Sequence, residues 1–467
     1  MPRTEPNHRL ERMMREAGFT SRKSFARAVL EESAMVSGPF QRCDHTDVTR
    51  WLSGMTPRGT KPVIIAAAIG RKLGRRVTVA EIGMASAIAA ITPHLGLELP
   101  EPMDAGTSTV TALWHADLAE VSQVANAVVD PTAWGQASLR WLITPDIERR
   151  EPVQAGLRIG QADVARFKVT TGMFAELDGR FGGGHVRQAL IQYLAADGDR
   201  LLRGRFTGGV STSVLSAVAE ATLLAAWMTY DSAPGSGLAQ RYFVQALNLA
   251  QASGDRLLGA SILDAMSHQA TFTGRYREAA DLAMAARTGT RGIATATLTA
   301  HFHSMEARAY ARLGDETACD RALSDASAIF ERRSPEDDPE WFRYFDEAEL
   351  AAEIGHCFRD LHRPHDAAAY ASQCLAALDP AASPRSQFFA TMVLADAYLS
   401  AGEADQACAT VLDALKLGEP IRSARCVNYL REFRQALAAC GATSAATNLD
   451  ERAREFRLWR IAGRPAA

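Results

Sequence analysis

A helical motif that recurs along the second half of the chain limits the architectures it can adopt. Ala307-x-x-Tyr310-x-x-x-Gly314 is followed by Ala318 and Ala322, and Ala395-x-x-Tyr398-x-x-x-Gly402 is followed by Ala407. A bulky aromatic on one helix needs a small alanine opposite it for close approach, and a glycine just beyond can end the helix in the left-handed region. Weaker copies turn at Gly274, near Arg363 and at Gly441. The intervals from Gly274 to Gly314, Gly402 and Gly441 are 40, 88 and 39 residues, the middle one holding two units. The pattern predicts stacked helix pairs from about Arg158 onward, capped by one charged helix over 444–461. Such a stack curves, and the first helix of each pair lines its concave face. His268, His301, Glu306, Tyr310 and Asn428 are the candidate ligand contacts there, because the other faces of their helices are committed to alanine and aromatic packing.

The N-terminal region reads differently. In Asp44-His45-Thr46-Asp47-Val48-Thr49-Arg50-Trp51-Leu52-Ser53-Gly54, Asp44 is a good N-cap and Gly54 a good helix stop. Val48, Trp51 and Leu52 make one apolar stripe, which leaves His45, Thr46, Thr49 and Arg50 facing outward. Two short helices are predicted before it, over 7–17 and 21–32, with a connection of about a dozen residues at 33–43. An apolar helix over 63–73 follows, then a capping-box signal at Thr78-Val79-Ala80-Glu81 that predicts a fifth helix. The stretch 96–109, with its prolines, glycines and small polar residues, reads as a linker, and 110–152 as a helical adapter.

Charge follows the same division. Residues 1–80 hold 15 Lys and Arg against 7 Asp and Glu, a net +8, and the remainder of the chain carries −11. Arg42, Arg50, Arg58, Lys61, Arg71, Lys72, Arg75 and Arg76 could neutralise phosphates, while the acidic remainder would be repelled by them.

At Glu16-Ala17-Gly18-Phe19, Phe25-Ala26-Arg27-Ala28-Val29 and Thr49-Arg50-Trp51-Leu52-Ser53-Gly54, the chain resembles the XRE (lambda-repressor-like) helix-turn-helix family. With Phe174-Ala175-Glu176-Leu177-Asp178 and Gly182-Gly183-Gly184, the likeness extends to actinobacterial regulators that join such a module to a TPR-like helical array. The resemblance implies an all-α chain: a helix-turn-helix domain over 1–84, a linker over 85–109, an adapter over 110–157, and a TPR-like solenoid over 158–467 that senses and dimerises. It implies a transcriptional regulator binding double-stranded DNA as a homodimer, in which Arg42, His45, Thr46, Thr49, Arg50, Arg58 and Lys61 meet the duplex and Arg50 is the leading base or phosphate contact. Relatives are associated with development and secondary metabolism, and their arrays often take a short peptide. Such arrays hold a peptide backbone with asparagines, and this chain has only Asn7, Asn126, Asn248, Asn428 and Asn448, so a small molecule, a protein partner or no ligand at all stands beside the peptide. The family's helices 2 and 3 usually meet in a tight turn, which the longer connection at 33–43 replaces. The competing reading is a protein-binding adaptor with a vestigial helix-turn-helix.

Signals for an enzyme, a cofactor or a metal are not found. His301 and His303 point to different faces of a helix, no His-Glu-x-x-His is present, and Gly182-Gly183-Gly184 lacks the Gly-Lys-Ser/Thr of a phosphate loop. Seven scattered cysteines without Cys-x-x-Cys read as buried free thiols rather than a disulfide framework or zinc site. With no long apolar run and no signal peptide, a cytoplasmic protein away from membranes is expected.

Overall fold

The computed structural model describes residues 6–35, 42–55, 57, 61–75, 77, 79, 81–84, 94–98, 103–144, 157–206, 209–378, 383–441 and 443–464. The chain is all-α; the β feature among these residues is a single bridge between Arg158 and Arg205. Two compact units are present, Met1–Leu95 with Thr111–Ala125, and Gly96–Val110 with Asn126–Ala467.

The first unit begins with α1 (His8–Glu16), α2 (Arg22–Met35), α3 (His45–Leu52) and α4 (Lys61–Leu73). Leu10, Phe25, Val29, Val48, Trp51, Ile65 and Ile69 form its core. Asn7 ties three places together: its side chain caps α1 at Leu10, its backbone N–H donates to Leu52 O at 2.8 Å, and its Nδ2 donates to Ile82 O at 2.9 Å. Two expectations need correction. The second helix runs to Met35, three residues beyond its expected end, because Arg71 pairs with Glu32 at 2.5 Å and donates to Met35 Sδ. The fifth helix is not formed over 81–83, which are a turn through Gly83 at positive φ that brings Ile82 and Met84 into the core. Thr78 and Ala80 of that signal, like Arg58, Arg76 and 36–41 of the connection, lie outside the described residues.

α5 (Met103–Leu118) starts inside the stretch read as a linker, and its residues from Thr111 onward belong to the first unit with α6 (Ser122–Ala125). Val110, Leu113 and Trp114 are fully buried, and this apolar spacing extends the helix back through small residues that local composition assigns to a loop.

The second unit continues with α7 (Pro131–Ile143), α8 (Gln161–Phe181), α9 (Gly183–Tyr193) and, after one π turn, α10 (Asp199–Leu202). Then come α11 (Val210–Ser232), α12 (Gly237–Ser253), α13 (Arg256–Phe272), α14 (Tyr276–Gly289), α15 (Ala296–Leu313), α16 (Glu316–Phe330), α17 (Glu347–Asp360), α18 (Pro364–Ala377), α19 (Pro384–Ser400), α20 (Ala404–Gly418), α21 (Ala424–Ala439), α22 (Thr443–Ala453) and α23 (Arg457–Ala462). From α11 to α20 each odd-numbered helix packs against the next as a hairpin, and the odd-numbered helices also touch each other in sequence. Gly314 and Gly402 end α15 and the α19 turn at positive φ, and Ala322 and Ala407 are buried where the hairpin partners meet.

The inner helices close on themselves, since α21 also packs against α11 and α19 against α8. The closure is a tight backbone seam. Arg422 N donates to Phe181 O at 2.6 Å and Gly184 N to Arg422 O at 3.1 Å, and a Cβ on Gly183 would lie 2.4 Å from Met228 O. The glycine triplet is thus the only chemistry small enough to pass between these helices.

The C-terminal cap is two helices rather than one. Leu458 and Trp459 are buried, Trp459 Nε1 donates to Asp450 Oδ1 at 2.9 Å, and the Arg434 guanidinium lies 4.1 Å from the indole. Folding the tryptophan inward breaks the helix at 454–456. α11 is long and apolar enough to cross a membrane by length and composition, but Val214, Val218, Ala221, Ala225 and Met228 are buried in the stack, which accounts for its hydropathy. The described cysteines are free; six are buried and Cys440 is exposed.

Candidate functional site

In the first unit the candidate surface is α3. Asp44 accepts from Thr46 N at 2.7 Å and Asp47 N at 3.3 Å, and Asp47 returns the bond to Asp44 N at 3.1 Å, which completes a capping box. The two backbone bonds to Asp44 hold its carboxyl below the usual carboxylate range. Val48 and Trp51 anchor the inner face, while Arg42, His45, Thr46, Thr49 and Arg50 are exposed and Lys61 is half-buried at the start of α4. Arg50 lies 3.8 Å from Asp47, an exposed pair that holds the guanidinium weakly. Thr49 Oγ1 donates to His45 O and accepts from Arg22 Nη1 at 3.1 Å, so its hydroxyl is already engaged and Arg22 joins the surface. Sequence reasoning missed Arg22, whose role depends on the α2–α3 packing.

In the second unit the inner helices surround a cavity of about 460 Å3. His268 and His301, both expected in a groove, line it. The remaining expected contacts do not. Glu306 is buried on the other side of α15, where Arg287 Nε meets it at 2.7 Å, and Asn428 accepts from Arg431 at 2.6 Å. Tyr310 is half-buried away from the cavity. Of the α15 residues expected to face a groove, His301 is buried but faces the cavity, whereas Glu306 is buried under α14 against Arg287.

The cavity's charged groups were missed, although their spacing was available. Asp264 and His268, His301 and Arg308, Glu349, Glu353 and His356, and Arg385 and Phe389 recur three, four or seven residues apart on α13, α15, α17 and α19, which places each set on one helix face. Most are paired. Arg385 Nη2 meets Asp178 at 2.8 Å, Arg308 meets Glu353 at 2.5 Å, and His301 Nδ1 meets Asp264 at 2.7 Å. Asp231 accepts from Gly183 N at 3.0 Å and Ser423 Oγ at 2.8 Å, with Arg385 at 3.5 Å and Arg425 at 4.0 Å.

The environment sorts the histidines. Burial, with the charges of Arg425 and Arg308, pushes His268 well below its ordinary value, and burial with Arg308 and Arg359 does the same to His356. Each ring meets a phenol instead, His268 with Tyr230 at 3.0 Å and His356 with Tyr429 at 3.5 Å. For His301 burial also opposes the charged form, but the pull of Asp264 outweighs it and raises the imidazole above its ordinary value. Glu349 is pushed up to about 7, chiefly by burial and then by Glu353 and Asp346. No group of three His, Cys, Asp or Glu side chains suited to holding a metal occurs among the described residues.

A family model described as the SP15 N-terminal domain matches residues 10–85, the segment that runs from within α1 through α4 and the turn beyond. No curated protein matches the chain.

Proposed function

We propose that this protein is a cytoplasmic, non-enzymatic DNA-binding transcriptional regulator. Its first unit acts as a lambda-repressor-like helix-turn-helix domain with α3 as the reader, and the hairpins of its second unit act as a TPR-like solenoid that dimerises and receives an effector. The observation that carries this reading is the outward face of α3, with His45, Thr46 and Arg50 exposed in a segment of net charge +8. At 8 residues the helix is about 12 Å long, which suits the roughly 12 Å width of a major groove.

A lone module of this size buries too little surface for tight specific binding, so two copies on two half-sites are expected. Val169, Met173 and Leu177 support self-association, because they leave an exposed apolar stripe along α8 at a spacing of four residues.

Genome-wide capture of fragments by the purified full-length protein tests the reading. Enrichment of a two-half-site motif is expected, with binding that falls steeply as salt rises. Recovery without any motif would end the regulator reading in favour of an adaptor. Light scattering that gives a 50 kDa monomer on and off DNA would remove the dimer.

A further inference from the structure

The cavity in the second unit carries an imbalance of charge that identifies what it can hold. Five carboxyl groups line it, Asp178, Asp231, Asp264, Glu349 and Glu353, against the guanidiniums of Arg308, Arg385 and Arg425 and the ring of His301. His268 and His356 contribute no charge, since both are driven to the neutral form. Each cation is already committed: Arg308 to Glu353, Arg385 to Asp178 and Asp231, Arg425 to Asp231, and His301 to Asp264. The surplus falls on Glu349, which receives a hydroxyl from Ser386 at 3.5 Å and has no cation within ion-pair distance among the described residues. A second acceptor in the same cavity is idle. Asp264 is 3 % exposed, and its Oδ1 has no hydrogen-bond partner. Trp227, Tyr344 and Phe389 complete the lining; the Arg425 guanidinium already lies 4.7 Å over Phe389, and the faces of Trp227 and Tyr344 can attract an organic cation.

An anionic ligand would have to displace carboxylates from all three arginines. A metal lacks a suitable ligand group among the described residues. We propose that this cavity binds a small organic monocation, a protonated amine on a partly aromatic or hydroxylated body, with its ammonium at Glu349 and its body against Trp227 and Tyr344. The volume of about 460 Å3 lies within the range of small-molecule sites and holds no folded segment. The inference names the effector class of the proposed regulator and rests on that reading only for its consequence at DNA; the binding itself stands on the second unit.

Calorimetry on the full-length protein with tyramine, phenethylamine and isoamylamine, each beside its matched alcohol and carboxylic acid, is the test. An amine is expected to bind about tenfold or more tighter than its matched alcohol and acid, and Glu349→Gln to lose that preference with helix content unchanged. Thermal unfolding without ligand is a second measurement. At pH 8, Glu349→Gln should melt higher than the wild type, because it removes an uncompensated, half-buried charge. The proposal is overturned if none of the three amines binds, if the acids bind as tightly, or if Glu349→Gln melts lower at pH 8. DNA capture is scored separately, so the loss of one conclusion leaves the other standing.

Discussion

The two units use charge in opposite ways. In the first, apart from Arg71–Glu32, the pairs near the α3 face and on α1, such as Arg50–Asp47 and Arg12–Glu16, are 3.8 Å long with arginines more than half exposed, so they add little to stability and leave their cations available. In the second, Arg308–Glu353 and Arg359–Asp360 are 2.5 and 2.7 Å pairs with all four side chains 13 % exposed or less. The first arrangement serves contacts with another molecule. The second makes the interior of a helical stack depend on matched partners, and it makes an unmatched group such as Glu349 informative.

The largest expected effect tests that dependence. Arg308→Ala should destabilise the second unit by about 3–5 kcal/mol in chemical unfolding, because Glu353 is left buried and unpaired. The double change Arg308→Met with Glu353→Gln should cost much less. An equal cost for both would show that packing, and not charge matching, holds this region.

Trp51→Ala belongs to the first unit, where apolar burial and not charge holds α3. A loss of about 3–5 kcal/mol is expected, enough to unfold that unit and abolish DNA binding while the far-ultraviolet helix signal of the second unit persists. Next in size, Arg50→Ala should weaken operator binding by about 1–3 kcal/mol with little change in melting, the converse of Arg308→Ala. An equal loss on operator and random DNA would make Arg50 a phosphate contact.

The smallest effect is in pH. Glu349 and Asp396 are both pushed up to about 7, Glu349 by burial, Glu353 and Asp346, and Asp396 by burial against the pull of Arg359, with Glu432 and Asp360 adding to the rise. Each binds its proton more tightly in the folded than in the unfolded chain, so the stability it contributes is present at low pH and is lost as pH rises from about 5 through 7. His301, also raised, adds loss in the same direction as pH climbs through its folded value. His268 and His356, driven below their ordinary value, act the other way at the acid end of this range, so the check is a difference: from pH 5 to 8 the wild type should lose melting temperature relative to the double variant Glu349→Gln with Asp396→Asn.

Much of the first unit was legible because its signals are local. The Asp44 cap, the Val48, Trp51 and Leu52 stripe and Gly54 at positive φ all lie within one short helix and its ends. The connection and the helix 21–32 were misjudged where distant residues intervened, as when Arg71 reaches Glu32 and Met35. In the second unit the hairpins were legible from Tyr310, Gly314, Tyr398 and Gly402, and two of five expected groove residues, His268 and His301, do face a common space. Glu306, on the same helix as His301, faces Arg287 instead. Polarity alone could not separate them, since both are buried and both are paired.

What the sequence by itself determined was the helices, their caps and the segregation of positive charge to one end, because capping, periodicity and net charge depend on residues a few positions apart. Only the tertiary structure decided which charges meet. His301 and Asp264, Arg385 and Asp178, and Arg308 and Glu353 are brought together by helices that stack and then close at the Gly182–Arg422 seam. The surplus carboxylate at Glu349 is a property of that closure, because a charge can be called unmatched only when every neighbour from every surrounding helix is in place.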